Sequence, residues 1–181
     1  MLILYVGTHA LPLPAADKTL KYLTLGRGVI TWACNSTIPG DDQPAYLHQN
    51  TDLYDVAPLA RNLPDENALH ALVPQFCDYD YAELRNTSMN CVGRIYNQFD
   101  HTIVELFGFR VPEFTIEITW VIPSPAGQTV NGYWDHSATV DKDWEVYRVE
   151  TAGGVTPTTC KGHENSTINV AYAAEYWFYH R

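Results

Sequence analysis

Basic residues are scarce in this sequence, which has 11 Lys and Arg against 21 Asp and Glu and a formal net charge of −10. Phosphate backbones and anionic lipid surfaces are bound by clusters of Lys and Arg side chains, and here these residues are scattered. The sequence also lacks an apolar run that approaches the roughly 18 residues of a membrane-spanning helix. We therefore expect a protein that binds neither nucleic acid nor a membrane.

Motifs for cofactors and metals are missing as well. The Gly26 and Gly28 pair in LGRG has neither the spacing of a dinucleotide-binding loop nor the lysine of a phosphate-binding loop, so it predicts a hairpin turn. The motifs G-x-S-x-G and H-E-x-x-H do not occur. His101 and Glu105 share one face of a predicted strand, but two ligands do not complete a metal site. We expect no cofactor and no catalytic metal.

The cysteines are few and have no C-x-x-C spacing; they are Cys34, Cys77, Cys91 and Cys160. This argues against a zinc ribbon or a thioredoxin-like motif and favours structural disulfides. Three glycosylation sequons, at Asn35, Asn86 and Asn165, favour the secretory route too. The apolar N-terminus lacks a basic n-region, so we interpret the sequence as a mature chain. The predicted location is outside the cell or in the secretory-pathway lumen.

What the sequence does contain is many short segments of β-branched and aromatic residues, separated by Gly, Pro and Asn. They span residues 19–25, 29–34, 101–109, 114–122, 144–151 and 167–179. One short helix is predicted in LPDENALHALVPQF, capped by Asp65 and interrupted by Pro74. The prediction is an all-β fold, an antiparallel sandwich or barrel with one short helix, in a single domain over residues 1–181.

Alternation along two of these segments predicts which residues share a face. In FTIEITWVI, Phe114, Ile116, Ile118 and Trp120 fall on a dry face, and the residues between them fall on a wet one. In the last segment, the strand face that carries Tyr172 and Tyr176 is apolar enough to be core. The opposite parity carries small alanines, then Glu175, then Trp177, which predicts a pocket floor beside that carboxylate.

Aromatic residues are concentrated near isolated polar groups in ITWVIPSPAGQTVNGYWDH and AAEYWFYHR. GYWDH places two large rings, an acid and an imidazole in a predicted loop after Gly132, where packing alone gives no reason for them. Such a group suits an apolar pocket with a few placed polar contacts. Any one of these rings, taken singly, is more typical of an ordinary core.

Three blocks resemble a family of secreted fungal proteins of unknown function whose members are often mislabelled malate dehydrogenase. The blocks are LPLPAADKTLKYLTLGRGVITWAC, TDLYDVAPLA, and WEVYRVETAGGVTPTTCKG with INVAYAAEYWFY. The resemblance implies a β-rich secreted domain without dehydrogenase activity. Cys34 and Cys160 lie in the resembling ends, and Cys77 and Cys91 lie in the divergent middle. The resemblance therefore suggests two disulfides, Cys34–Cys160 and Cys77–Cys91.

The middle of the chain, from about Pro74 to Lys142, is less similar to this family and is rich in aromatic residues, which suggests recruitment to a new ligand. As a small secretory protein without a cofactor, the chain resembles the hetero-Diels–Alderases of fungal tropolone sesquiterpenoid pathways. The resemblance implies that it joins a tropolone quinone methide to a humulene-type terpene, both small apolar natural products. A homodimer is left open.

Such a reaction needs two reactants held in a reactive orientation and an acid that helps water to leave. The candidate acids are Glu175, Asp135, His136 and His101. The candidate substrate contacts are Trp120, Tyr133, Trp134, Trp177 and Tyr96. Two alternatives stay open, a secreted cell-surface or carbohydrate-binding protein without catalytic activity, and a purely structural surface protein.

Overall fold

The computed structural model describes residues 10–34, 42–87 and 89–181. Within these ranges, eight strands form a closed antiparallel barrel in which every strand pairs with its neighbours in sequence, and the last strand closes on the first. The strands are β1 Thr19–Cys34, β2 Ala45–Asp55, β3 Cys91–Gln98, β4 His101–Leu106, β5 Val111–Ile122, β6 Trp134–Ala138, β7 Trp144–Gly153 and β8 Ser166–His180. The prediction of an antiparallel all-β fold is confirmed, and its form is a barrel rather than a sandwich.

The helices form between β2 and β3, and the prediction of one short helix was wrong. They are α1 Ala57–Ala60, α2 Glu66–His70, α3 Leu72–Asp78 and α4 Tyr81–Arg85, and a 3₁₀ turn follows β4 at Phe107–Phe109. Asp65 caps α2 as predicted, since its carboxylate accepts a hydrogen bond from the Ala68 amide at 2.9 Å. Pro74 does not end the helical region because it lies in the first turn of α3, where a backbone N–H has no intrahelical partner.

Gly26 and Gly28 lie in the middle of β1, and the predicted hairpin turn does not exist. A Cβ atom at Gly26 would overlap the ring of Tyr176. At Gly28 it would lie 2.5 Å from the Thr51 hydroxyl oxygen and 2.8 Å from the ring of Tyr172. The glycines are therefore needed because two tyrosine rings cross the inside of the barrel against the backbone of β1.

From Tyr172 to Tyr179 both faces of β8 are buried, one inside the barrel and one beneath the helices. Tyr172, Tyr176 and Phe178 belong to an inner core with residues of the other strands, among them Leu53, Ile95, Val104, Leu106 and Val146. Trp177 and Tyr179 belong to an outer core, which also contains Leu69, Val73, Phe76 and Leu84 from the helices. The Glu175 face of β8 therefore packs under α2 and α3 and does not line the inside of the barrel.

Two other sequence interpretations fail at β5 and β6. A register shift between Ile118 and Trp120 ends the predicted alternation of β5, and both side chains are exposed, by 62% and 54%. The predicted loop GYWDH becomes β6 from Trp134 onward, and Trp134, Asp135 and His136 are buried. Since β6 is buried on both faces, it lacks the polar alternation by which a half-exposed strand is recognised.

The two ends of the barrel differ. At one end, aromatic rings fill the interior, with Tyr22 stacked on Phe109 at 4.0 Å between ring centroids and Phe114 stacked on Trp144 at 4.9 Å. The opposite end is open. Within residues 10–34, 42–87 and 89–181, no helix is both long and apolar enough to cross a lipid bilayer.

Only one of the two suggested disulfides is present. Cys34 at the end of β1 is bonded to Cys160, as the family resemblance implied. Cys77 and Cys91 are free thiols, so the second suggested pair was wrong. Cys77 lies on α3 against Gly153 of β7, whereas the Cys91 thiol donates to the Gly93 carbonyl of its own strand at 3.5 Å.

Candidate functional site

The open end of the barrel contains a cavity of about 170 Å³. Its walls are largely apolar and aromatic, with Trp32, Tyr46 and Tyr133 towards the mouth and Tyr172 and Tyr176 deeper inside. The remaining lining comes from aliphatic and small polar residues, including Ile30, Ile95, Ile116, Ile118, Val146, Ser137, Thr151 and Gly154. An enclosed apolar space with a few polar groups is the usual form of a small-molecule site.

A buried ion pair lies in this cavity. Asp135 of β6 and Arg148 of β7 are direct partners in the strand register, and both side chains point inward. The Arg148 Nη2 atom lies 2.7 Å from Asp135 Oδ2, and the side chains are only 16% and 9% exposed. Ser137 Oγ donates to Asp135 Oδ1 at 3.3 Å. The carboxylate thus holds the guanidinium in one orientation.

Burial and pairing act in opposite directions on these two groups. Burial raises the pKa of the Asp135 carboxyl, and the guanidinium of Arg148 opposes this rise. Burial also works to lower the pKa of Arg148, but its pKa ends above the ordinary value because of the Asp135 carboxylate and the tyrosines beside it. At a separation of 2.7 Å each group favours the charged form of the other, against the effect of burial.

Three hydroxyls continue the polar network next to the ion pair. The Tyr172 hydroxyl is hydrogen-bonded to the Thr51 hydroxyl and lies 2.8 Å from the Tyr176 hydroxyl. The guanidinium of Arg148 sits 5.8 Å from the centre of the Tyr172 ring. Burial raises the pKa of Tyr176 well above its usual value and that of Tyr46 to about 12. The phenols of Tyr46 and Tyr176 are therefore neutral at physiological pH.

Two N–H donors of the cavity-lining residues have no hydrogen-bond partner among the described residues. They are Nε of Arg148 and the indole Nε1 of Trp32, and both are buried. A buried donor without a partner is costly, and such groups in native proteins commonly serve a function. An acceptor oxygen of a bound molecule would satisfy them after a small side-chain adjustment. In the part of the chain that the structure describes, no group of His, Cys, Asp and Glu is arranged to hold a metal ion.

A protein-family profile described as "Protein of unknown function (DUF3455)" matches residues 14–180. The chain belongs to this family. The match covers all eight strands and includes the middle of the chain, which the sequence blocks left unmatched. No curated protein and no solved structure matches significantly.

Only two of the predicted site residues line the cavity of this family member, Asp135 and Tyr133. Sequence reasoning missed Arg148, Trp32 and Tyr172. A signal was present for Arg148, because in WEVYRVET it shares the parity of Val146, which is a core position. A charged residue at a core parity indicates a buried partner.

Four predicted residues lie on the outer face of the barrel instead. Glu175 is completely buried and accepts hydrogen bonds from Trp177 Nε1 at 2.9 Å and His70 Nδ1 at 2.8 Å. Trp134 and Trp177 belong to the outer core. His136 is bonded through Nδ1 to the Thr119 hydroxyl at 2.5 Å, and burial lowers its pKa. These groups support the packing of the helices on the barrel.

The other predicted contacts are also outside the cavity. Trp120 pairs with His136 across the strands, Tyr96 donates to Glu105 at 3.1 Å, and His101 is exposed at the start of β4. Of the sequons, Asn86 and Asn165 are exposed in turns, and Asn35 lies outside the described residues.

The His70–Glu175 pair makes the attachment of α2 depend on pH. The hydrogen bond to Glu175 raises the pKa of His70 above its usual value of about 6.5. A raised histidine pKa stabilises the fold below about pH 6.5, and this stabilisation is lost as the pH rises through the folded-state pKa. The free energy of unfolding should therefore fall over this window, and His70→Gln should remove most of that fall.

Urea denaturation at a series of pH values from about 6 to 9 measures this dependence. His101→Gln is the matched control because His101 is exposed and contacts neither helix. Glu66 and Glu150 also face His70, and burial raises the pKa of Glu150. Both carboxyl groups are still present in His70→Gln, so the difference between the two proteins isolates the contribution of His70. Equal pH dependence in wild type and His70→Gln would contradict the prediction.

Proposed function

We propose that this protein is a cofactor-free cyclase that binds small apolar natural products in the open end of its barrel. The specific reaction is the hetero-Diels–Alder joining of a tropolone quinone methide to a humulene-type terpene. The observation that carries the proposal is the aromatic-walled cavity with a single buried Asp135–Arg148 pair. It offers apolar walls for orientation and N–H donors for an oxygen atom of the reactant.

The size of the cavity supports separate positions for the two reactants, one inside the cavity and one at its mouth. At about 170 Å³ it is slightly larger than a cavity of about 150 Å³ that binds benzene in another protein. One ring therefore fits inside, next to Arg148. The second reactant would lie across the mouth, where Tyr46, Ile118 and Tyr133 are exposed by 50%, 62% and 46%. Holding the two in contact is the main catalytic effect, since orientation alone lowers a bimolecular barrier by several kcal/mol.

The polar groups of the cavity have separate roles in the proposed reaction. Donors of Arg148 and Trp32 polarise the carbonyl oxygen of the electron-poor reactant, which favours cycloaddition. Asp135 was predicted as an acid; in this proposal its carboxyl is paired with Arg148 and acts by orienting the guanidinium. The hydroxyls of Tyr172 and Tyr176 remain as hydrogen-bond donors that assist loss of water when the quinone methide forms.

The proposed location is the secretory pathway or the outside of the cell. The Cys34–Cys160 disulfide supports it because disulfides persist in oxidising compartments. The exposed sequons at Asn86 and Asn165 support it as well. Removal of N-glycans from protein secreted by a eukaryotic host should lower its mass, and an unchanged mass would count against glycosylation.

The test of the proposed reaction is product formation from a tropolone quinone methide precursor and humulene. The purified protein should accelerate the reaction and fix its stereochemistry. The double variant Asp135→Leu/Arg148→Met removes the Arg148 donors without leaving a buried charge, and it should lower the rate by about 100-fold. Glu175→Gln is the control, since Glu175 lies outside the cavity, and a folded sample should react within about twofold of wild type. Product at the uncatalysed rate and stereochemistry would refute the proposal.

Binding of carbohydrate without catalysis is a second candidate. It is favoured by exposed rings outside the cavity, Trp120 at 54% and Phe99 at 91%, because exposed aromatic faces stack on sugars. A glycan array without hits would remove this candidate. A hit that is lost in Trp120→Ala would support it.

A further inference from the structure

The cavity carries one positive and one negative side chain among the described residues that line it. These are Arg148 and Asp135, and they neutralise each other. The other polar groups of the lining are hydroxyls, the Gln49 amide, the Trp32 indole N–H and backbone, which carry no charge. Because the one cation is already paired, the interior has no net charge to offer a ligand.

We propose that Asp135 is a specificity residue that excludes anions, so that the cavity takes uncharged ligands with a carbonyl-type acceptor oxygen. The inference rests on the proposed binding of a small molecule in the barrel and defines its chemical class. It separates this barrel from a carrier of fatty acids or other carboxylates, which needs a cation free to pair with the ligand.

The need for an acceptor follows from the unpaired donors. Arg148 Nε and Trp32 Nε1 are buried without partners, and a carbonyl oxygen would satisfy one or both of them. A ligand without an oxygen leaves them unsatisfied and therefore binds more weakly.

The exclusion of anions follows from the position of Asp135. Any oxyanion that approaches Arg148 within hydrogen-bond distance also approaches the carboxylate 2.7 Å from the guanidinium. Two like charges in a site with little water repel each other strongly. The anion would also lose its hydration shell, for which an already neutralised guanidinium does not compensate.

Three ring compounds of equal size test this selectivity: acetophenone with a carbonyl, benzoate with a carboxylate, and ethylbenzene with neither. Isothermal titration calorimetry on the wild-type protein at pH 8 should show that acetophenone binds at least about tenfold more tightly than benzoate. It should also bind several-fold more tightly than ethylbenzene. These comparisons need no variant and so do not depend on how a substitution affects folding.

Asp135→Asn should invert the preference. The amide keeps the size of the side chain but leaves the Arg148 charge free. Benzoate should therefore bind at least about tenfold more tightly to the variant than to the wild type. Glu117→Gln is the matched control, because it removes the same charge from an exposed position on β5 outside the cavity. It should leave all three affinities unchanged. Circular dichroism and thermal melting establish that each variant is folded.

If Asp135→Asn does not fold, the double variant Asp135→Leu/Arg148→Met replaces it, and there acetophenone should lose its advantage over ethylbenzene. Benzoate binding to wild type as tightly as acetophenone would overturn the inference, while the proposed binding of small molecules in the cavity would stand. No binding of any of the three compounds would overturn both.

Discussion

Replacing Cys34 and Cys160 together by serine should lower the free energy of unfolding by about 3–5 kcal/mol. The bond joins residues separated by 126 positions, and the loop it closes contains β2 to β7. In the chain-entropy account, a loop of this length lies near the upper end of disulfide stabilisation, because the bond removes so many unfolded conformations. The bond also ties the end of β1 to the segment that leads into β8, at the point where the barrel closes. We expect opening of the β1–β8 seam to accompany its loss.

Urea denaturation of the wild type and the double serine variant measures this effect. Cys91→Ser is the matched control, because Cys91 is a free, exposed thiol, and the change should shift the free energy of unfolding by less than about 0.5 kcal/mol. Thiol titration of the unfolded wild type without reductant should find two free cysteines. Four free cysteines, or equal stability with and without reductant, would contradict the prediction.

Much of the barrel could be predicted from the sequence because most strands combine β-branched or aromatic residues with clear punctuation. β4, β5, β7 and β8 were recognised by this pattern, and β1 was recognised as two segments instead of one. The pattern could not distinguish a barrel from a sandwich, since alternation reports that a face is buried and not which element covers it. It also failed where β1 passes through Gly26 and Gly28, because the clash that requires glycine involves Tyr172 and Tyr176 at the far end of the chain.

The candidate site was harder to predict for a related reason. Both parities of β8 are buried, so the Glu175 face looked like a pocket floor although it packs beneath α2. The parity with Tyr172 and Tyr176 was assigned to an ordinary core, and it is this parity that lines the cavity. The outer face of β8 is the one that the helices cover. Strand alternation does not predict where the helices pack, because that packing depends on tertiary structure.

Arg148→Met alone should destabilise the protein by about 3–5 kcal/mol, because it leaves the Asp135 carboxylate buried without its cation. The remaining partner of that carboxylate is the Ser137 hydroxyl at 3.3 Å, which cannot replace an ion pair. The loss should be greatest at neutral pH and smaller in acid. Burial raises the pKa of Asp135 already in the intact pair, so without Arg148 the carboxyl should take up a proton more readily, and a neutral carboxyl is cheaper to bury.

Adding Asp135→Leu to this variant should restore the stability to within about 1 kcal/mol of wild type, because apolar residues of similar size often replace a buried ion pair without loss. Urea denaturation of the two single variants and the double variant at pH 5 and pH 7.5 gives the coupling energy between the two positions. Additive losses would mean that the pair is not coupled as the structure shows. A double variant that folds well yet neither binds acetophenone better than ethylbenzene nor promotes the reaction would show that Asp135 and Arg148 serve the ligand rather than the barrel. Such a result fits the inner position of the pair, since the seam of β6 and β7 is already held by the backbone ladder around it.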